Sequence, residues 1–212
     1  MEKQPTQTKQ AWIATGMVLA WLALAIQLYL ILVNRKASVP ETLIRYFTFY
    51  TILTNLLVAL CYTSLLNART GWLQFFSRPS VLAATAVYIF VVGAVYNTIL
   101  RFLWQPQGVQ FITDELLHTV NPIVYVMFWL LFASKQSLVW KNVLPWLWYP
   151  FIYVAVVLLR GQSSGYYPYP FVDVSALGFS KVIVNCIILF IIFLALSLLT
   201  MAIARRISRN TK

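Results

Sequence analysis

Six segments of this chain are long and apolar enough to cross a lipid bilayer as α-helices. Crossing about 30 Å of hydrocarbon at about 1.5 Å per residue takes roughly 20 apolar residues. Of the 212 residues, 61% are hydrophobic and 10% are charged, too few charges to cover a soluble domain of this size. The sequence therefore predicts an all-α bundle of six transmembrane helices, an integral membrane protein with a single membrane domain over 1–212. The predicted spans are approximately 11–33, 44–66, 80–103, 115–133, 141–159 and 178–204.

The basic residues lie at the ends of the apolar segments, and their distribution predicts an orientation. One side of the predicted bundle carries ten basic residues and one acid, Glu2, whereas the other carries six basic residues and four acids. The cytoplasmic side is the more basic one, so both termini are predicted to be cytoplasmic, in a bacterial inner or plasma membrane. The basic residues of that side are Lys3, Lys9, Arg69, Arg78, Lys135, Lys141, Arg205, Arg206, Arg209 and Lys212.

The same distribution argues against nucleic acid as a partner, although the net charge is +11. The basic residues do not cluster on an amphipathic or repeated element, and they anchor helix ends instead.

The first apolar segment is longer than a signal-peptide core and ends without a small-x-small cleavage site, so it is predicted to be retained. Cys61 and Cys186 both lie inside apolar segments and indicate neither a disulfide framework nor metal-ligand spacing. Because one histidine cannot supply two haem ligands, no metal or other cofactor is predicted.

The second apolar segment contains a polar stripe. In the stretch RYFTFYTILTNLL, Thr48, Thr51 and Asn55 fall within about 60° of one another on a helix. The predicted orientation puts this end of the segment toward the outer leaflet. The structural alternative is that a membrane threonine bonds back to the carbonyl four residues earlier or packs at a helix interface.

The fourth apolar segment brings the only histidine to the same predicted level. In TDELLHTVNPIVYVMFW, His118, Asn121 and Tyr125 follow the spacing i, i+3, i+7, the same as on the second segment. Arg101 ends the third segment at this level, and Asp173 lies in the outer connection 160–177. A histidine inside a membrane indicates a functional site by default, and a link between two helices is the alternative.

The connection 160–177 also contains the aromatic run GYYPYPF. Tyrosine rings gather at the headgroup level, so the run is either an interfacial belt or a stiff flap over an apolar slot. Its candidate substrate-contacting residues are Tyr167, Tyr169, Pro170 and Phe171.

These residue types suit acyl transfer or ester hydrolysis on a lipid-borne substrate. A threonine hydroxyl needs a base to take its proton, and His118 is the one side chain of these that ordinarily titrates near neutrality. Asp173 is a candidate to orient the imidazole, and Asn55, Asn121, Tyr125 and Arg101 are candidates for orienting groups or for donors to an oxyanion.

Three stretches, RYFTFYTILTNLL, LLHTVNPIVYVMFW and GYYPYPFVD, together resemble the androgen-induced protein family of membrane threonine hydrolases. The six-span bacterial relatives in that family resemble this chain more closely, and the similarity covers most of its length. The resemblance implies hydrolysis of fatty acid esters of hydroxy fatty acids by a threonine nucleophile with a histidine partner. Aligning the motifs implies Thr48 as nucleophile, His118 as partner and Asp173 as the acidic residue after the Tyr-Pro-Phe motif. A slip of one turn makes Thr51 the nucleophile, and Thr48 is favoured.

Two other classes of protein compete with an esterase. A non-enzymatic lipid- or ligand-binding membrane protein would use the same slot between helices. A small transporter is less favoured, because the polar residues crowd one leaflet and no paired repeats with broken spans are visible. The predicted partners are therefore the bilayer and a lipid or fatty-acyl ester, and the sequence leaves the oligomeric state open.

Overall fold

The computed structural model describes residues 7–67 and 71–210, and the regular structure in these ranges is helical throughout, with no β-strand. Glu2, Lys3, Arg69 and Lys212, which contributed to the predicted orientation, lie outside the described residues. The α-helices are α1 (Gln7–Val33), α2 (Val39–Thr48), α3 (Tyr50–Asn67), α4 (Pro79–Thr98), α5 (Val109–Glu115), α6 (Asn121–Phe132), α7 (Val143–Trp146), α8 (Trp148–Ser164), α9 (Val174–Leu177) and α10 (Phe179–Asn210). Short 3₁₀ turns cover Trp72–Ser77, Leu100–Phe102, Trp140–Asn142 and Pro170–Val172, and a π-helical turn covers Leu116–Val120.

Five continuous helical stretches of the described chain are long and apolar enough to cross a membrane, and a bent pair of helices makes a sixth when the pair is counted as one span. The all-helical fold class is confirmed. The fourth predicted span, 115–133, corresponds to the helical stretch Val109–Phe132, which begins earlier because α5 continues through the π turn into α6. The continuous stretches are Gln7–Val33, Pro79–Phe102, Val109–Phe132, Trp140–Ser164 and Phe179–Arg209.

The second segment, predicted as one span over 44–66, is broken. Helices α2 and α3 meet at Phe49, whose backbone is extended (φ −76°, ψ 125°), and they are bent by 74°. Aromatic and β-branched residues around the break have weak helix propensity. The Thr48 hydroxyl also donates to the carbonyl of Ile44 at 2.7 Å, a back-bond of the kind that often bends helices. Apolarity alone predicted a continuous helix, and these local preferences break it.

The described residues divide into two compact units, one ending at Ser134 and the other beginning at Lys135. In the first unit, α3 packs against α1, α2 and α4, and α4 packs against α6. In the second unit, α10 packs against α7, α8 and α9. The site described below lies in the first unit.

The aromatic connection of the second unit folds onto its own helices. The Tyr167 ring lies directly over Gly161 of α8, while Tyr169 and Phe171 stack with ring centroids 5.2 Å apart. The Asn185 side chain on α10 donates to the Phe171 carbonyl at 2.9 Å. The run GYYPYPF therefore has a defined packing partner within its unit.

Gly161→Ala is expected to lower the stability of the protein. A Cβ added at Gly161 would lie 2.0 Å from Cε1 of Tyr167, so the ring would have to leave its place. Overpacking of this kind costs about 1–3 kcal/mol. Thermal unfolding of the purified protein should therefore show a lower midpoint for Gly161→Ala than for wild type.

The matched control for this prediction is the same substitution in a Tyr167→Ala background. The three atoms nearest to the added Cβ all belong to the Tyr167 ring, so without the ring Gly161→Ala should change the midpoint little. An equal drop in both backgrounds would show that the contact with Tyr167 is not the cause.

Candidate active site

Thr51 and His118 form the central contact of the candidate site. The Thr51 hydroxyl oxygen lies 3.2 Å from Nε2 of His118. The break at Phe49 puts Thr51 in the first turn of α3, where it is buried. His118 comes from the π turn between α5 and α6. A bent helix and a π turn thus bring a hydroxyl and an imidazole together across two elements.

The hydrogen bond on the other ring nitrogen defines the tautomer of His118. Its Nδ1 lies 2.9 Å from the backbone carbonyl oxygen of Asp114. A carbonyl oxygen only accepts, so Nδ1 carries the proton. In the neutral ring Nε2 is then the acceptor, and the Thr51 hydroxyl donates to it. This is the polarity that a general base needs toward its nucleophile.

Pro122 explains why the chain forms a π turn here. The Asn121 N–H bonds to the Leu116 carbonyl, five residues earlier, and Pro122 then offers no N–H to the carbonyls that precede it. Two asparagine side chains supply the missing donors: Asn55 donates to the Leu117 carbonyl at 3.1 Å, and Asn97 donates to the His118 carbonyl at 3.3 Å. The turn that carries His118 is therefore held from α3 and from α4. Such π turns are frequent at functional sites.

Gly93 allows α4 to approach this turn closely. A Cβ at Gly93 would lie 3.0 Å from Cβ of Pro122 and 3.1 Å from the carbonyl oxygen of His118. The close approach puts Asn97, one turn further along α4, within reach of the His118 carbonyl.

One face of the imidazole is covered by Tyr96. The two rings are stacked, with centroids 4.0 Å apart and planes 13° from parallel. The Arg101 guanidinium lies over the same tyrosine ring at 5.5 Å and forms an ion pair with Glu115. Arg101 therefore contacts Tyr96, the residue that stacks on His118, and its charge is balanced by the Glu115 carboxylate.

The carboxylate of Asp114, buried next to this group, is held by two neutral donors. Its oxygens accept from the Trp104 indole at 3.0 Å and from the Gln110 amide at 2.8 Å. These bonds anchor the residue whose backbone carbonyl orients His118.

The structure assigns different surroundings to the two candidate threonines. The alignment of motifs favoured Thr48, and its hydroxyl makes the back-bond to Ile44 that was the structural alternative. Thr51, the second choice, is the threonine in contact with His118. Tyr125, a candidate oxyanion donor, is fully buried and packs edge-on against Tyr62, with its hydroxyl 3.5 Å from the Leu82 carbonyl.

Asp173, in the second unit, serves as the N-cap of α9. Its carboxylate accepts from the Ser175 hydroxyl at 2.5 Å and from the backbone N–H groups of Ser175 and Ala176. These hydrogen bonds, the one from the Ser175 side chain above all, hold the pKa of Asp173 below its usual range. On His118, the Nδ1 position expected for an orienting carboxylate is taken by the Asp114 carbonyl. A catalytic role for Asp173 and for the aromatic connection stays a prediction.

Tyr96 and Asn97 belong to the site and were not predicted from the sequence. Asn97 is a polar residue inside an apolar segment, the same signal that singled out Asn55. Tyr96 carries no such signal, because it is one of 12 tyrosines in a strongly aromatic chain. Within the described ranges, no three His, Cys, Asp or Glu side chains come together as a metal site.

Comparison with known proteins returns no match for this chain among protein-family models, curated proteins or solved structures. The resemblance to the androgen-induced protein family therefore rests on the three quoted motifs, and the geometry of Thr51 and His118 is an independent observation.

Proposed function

We propose that this protein is an integral membrane hydrolase of lipid esters, with Thr51 as nucleophile and His118 as general base. The observation that carries the proposal is the directed pair of hydrogen bonds, from the Thr51 hydroxyl to Nε2 and from Nδ1–H to the Asp114 carbonyl. The five or six long apolar helices of the described residues support placement in a membrane.

The chemistry follows from the positions of these two side chains. As the Thr51 oxygen attacks the ester carbonyl, its proton moves to Nε2 of His118. The tetrahedral intermediate then collapses, the ester C–O bond breaks, and the imidazolium returns the proton to the leaving alcohol. Water, deprotonated by the same nitrogen, then attacks the carbonyl of the acyl-threonine. The C–O bond to Thr51 breaks, the fatty acid is released, and the imidazolium returns its proton to the Thr51 oxygen.

The first turn of α3 contributes to stabilising the negative charge that develops during attack. Thr51 is the second residue of this helix, so the positive end of the helix dipole lies at the nucleophile. An oxyanion formed beside the Thr51 oxygen is stabilised by that field, which acts strongly in an apolar site.

Substrate class and membrane orientation are part of the proposal. The resemblance favours fatty acid esters of hydroxy fatty acids. The excess of basic residues on one side supports cytoplasmic termini in a bacterial inner or plasma membrane, with the site toward the outer leaflet.

Turnover of purified protein against a panel of lipid esters tests the proposed function. Fatty acid esters of hydroxy fatty acids should be cleaved to the free acids, and the corresponding amides, with a poorer leaving group, should react far more slowly. If no ester of the panel is hydrolysed and the same lipids bind saturably, the hydrolase proposal is contradicted and a lipid-binding protein is supported.

A further inference from the structure

The side chain of Asn55 joins the turn that carries Thr51 to the turn that carries His118. Its Nδ2 donates to the carbonyl of Thr51 at 2.9 Å and to the carbonyl of Leu117 at 3.1 Å. Asn55 is fully buried. One amide group thus spans from the nucleophile's own backbone to the residue directly before the histidine.

The orientation of this amide is determined by its partners. Both carbonyl oxygens only accept, so they require the NH₂ end of Asn55. Its Oδ1 accepts from Nδ2 of Asn121 at 2.8 Å. Both amide hydrogens and the oxygen are therefore engaged, and the group is held rigidly from α3 and α6. With both hydrogens committed to carbonyls, Asn55 is not free to donate to an oxyanion.

The two carbonyls need this donor for different reasons. Leu117 lies five residues before Pro122, whose missing N–H leaves the π turn without its next donor. The Thr51 carbonyl lies four residues before Asn55 on α3, so the side chain bonds back along its own helix. Because the two N–H bonds diverge from one nitrogen at a fixed angle, the amide limits how far the two turns can separate.

We propose that Asn55 is the positioning residue that keeps the Thr51 hydroxyl at reacting distance from Nε2 of His118. This inference rests on the proposed function for its consequence in catalysis, while its geometric part stands independently. With its amide engaged in these bonds, Asn55 acts through the backbone carbonyls of Thr51 and of Leu117, the residue directly before His118.

The test replaces Asn55 with leucine, which has a similar volume and no donor. The matched control is Thr63→Val on the same helix, where the hydroxyl donates to Ala59 and accepts from Trp21 away from the site. The chain contains a single histidine, so a histidine-selective ¹⁵N NMR spectrum reports on His118 alone. Esterase kinetics and this spectrum are recorded for wild type, Asn55→Leu, Thr63→Val and Thr51→Val.

Asn55→Leu is expected to lower kcat by about 100-fold with KM little changed, because a displacement of about 1 Å in a reacting group has that effect. Its Nε2 resonance should move as it does in Thr51→Val, although the threonine is still present. Thr63→Val should keep the wild-type kcat and the wild-type resonance.

Folded Asn55→Leu with wild-type kcat and a wild-type Nε2 resonance would overturn the proposal. Should the leucine variant not fold, Asn55→Ser decides instead, because a serine hydroxyl still bonds back to the Thr51 carbonyl and cannot reach Leu117. The NMR comparison separates the two proposals. If wild type hydrolyses no ester while Asn55→Leu or Asn55→Ser shifts the resonance as Thr51→Val does, the hydrolase fails and the positioning role holds.

Discussion

Thr51→Val is expected to reduce ester hydrolysis on the order of 10³-fold or more, the scale seen when the nucleophile of a hydroxyl hydrolase is removed. Valine has nearly the shape of threonine, so the buried first turn of α3 keeps its packing while the hydroxyl is lost. The loss should appear in kcat, because the hydroxyl acts in the bond-forming step. The measurement is the steady-state rate of fatty acid release by purified variants with matched melting behaviour.

Thr48→Val is the matched control on the other side of the break. Its hydroxyl donates to the Ile44 carbonyl within α2, so its removal should leave kcat close to that of wild type. The reverse pattern, with loss in Thr48→Val and retention in Thr51→Val, would contradict the assignment and support the alignment of motifs instead.

His118→Gln is expected to lose activity by a similar factor, on the order of 10³-fold, even though Thr51 is intact. Glutamine keeps a polar side chain in the π turn and provides no base for the hydroxyl proton. Because the two residues act as one unit, the double variant Thr51→Val/His118→Gln should be hardly slower than either single variant.

This non-additivity is what distinguishes a catalytic pair from two residues with separate effects. Rates of the two single variants and the double variant, measured on the same ester, form a double-mutant cycle. A double variant in which the two losses multiply would show that Thr51 and His118 contribute independently, and the pair would not be a nucleophile and its base.

The residue types at the site were predictable, and their arrangement was only partly so. A histidine and a line of threonines inside apolar segments can be recognised from the sequence as candidate site residues, because polar groups are costly in hydrocarbon. Choosing between Thr48 and Thr51 required the break at Phe49, which apolarity does not reveal. Because the chain bends by 74° at the break, the two threonines belong to different helices, and Thr51 lies in the first turn of α3, where its hydroxyl contacts His118.

The supporting residues were harder to predict for a different reason. Pro122 is visible in the sequence, and the loss of its N–H follows from its chemistry. Which side chains would satisfy the freed carbonyls depends on how α3 and α4 pack against the π turn, and that packing supplies Asn55 and Asn97. Tyr96 stacks on His118 for the same reason, through the register of α4 rather than through any motif.

Mapping the residue that reacts with a hydroxyl-directed fluorophosphonate probe tests whether Thr51 is the nucleophile and His118 its base. Purified protein is labelled, digested and analysed by mass spectrometry, alongside Thr51→Val, Thr48→Val and His118→Gln. We expect an adduct on the Thr51 oxygen, kept in Thr48→Val and lost in both Thr51→Val and His118→Gln. An adduct on Thr48, or labelling of Thr51 that persists in His118→Gln, would contradict it.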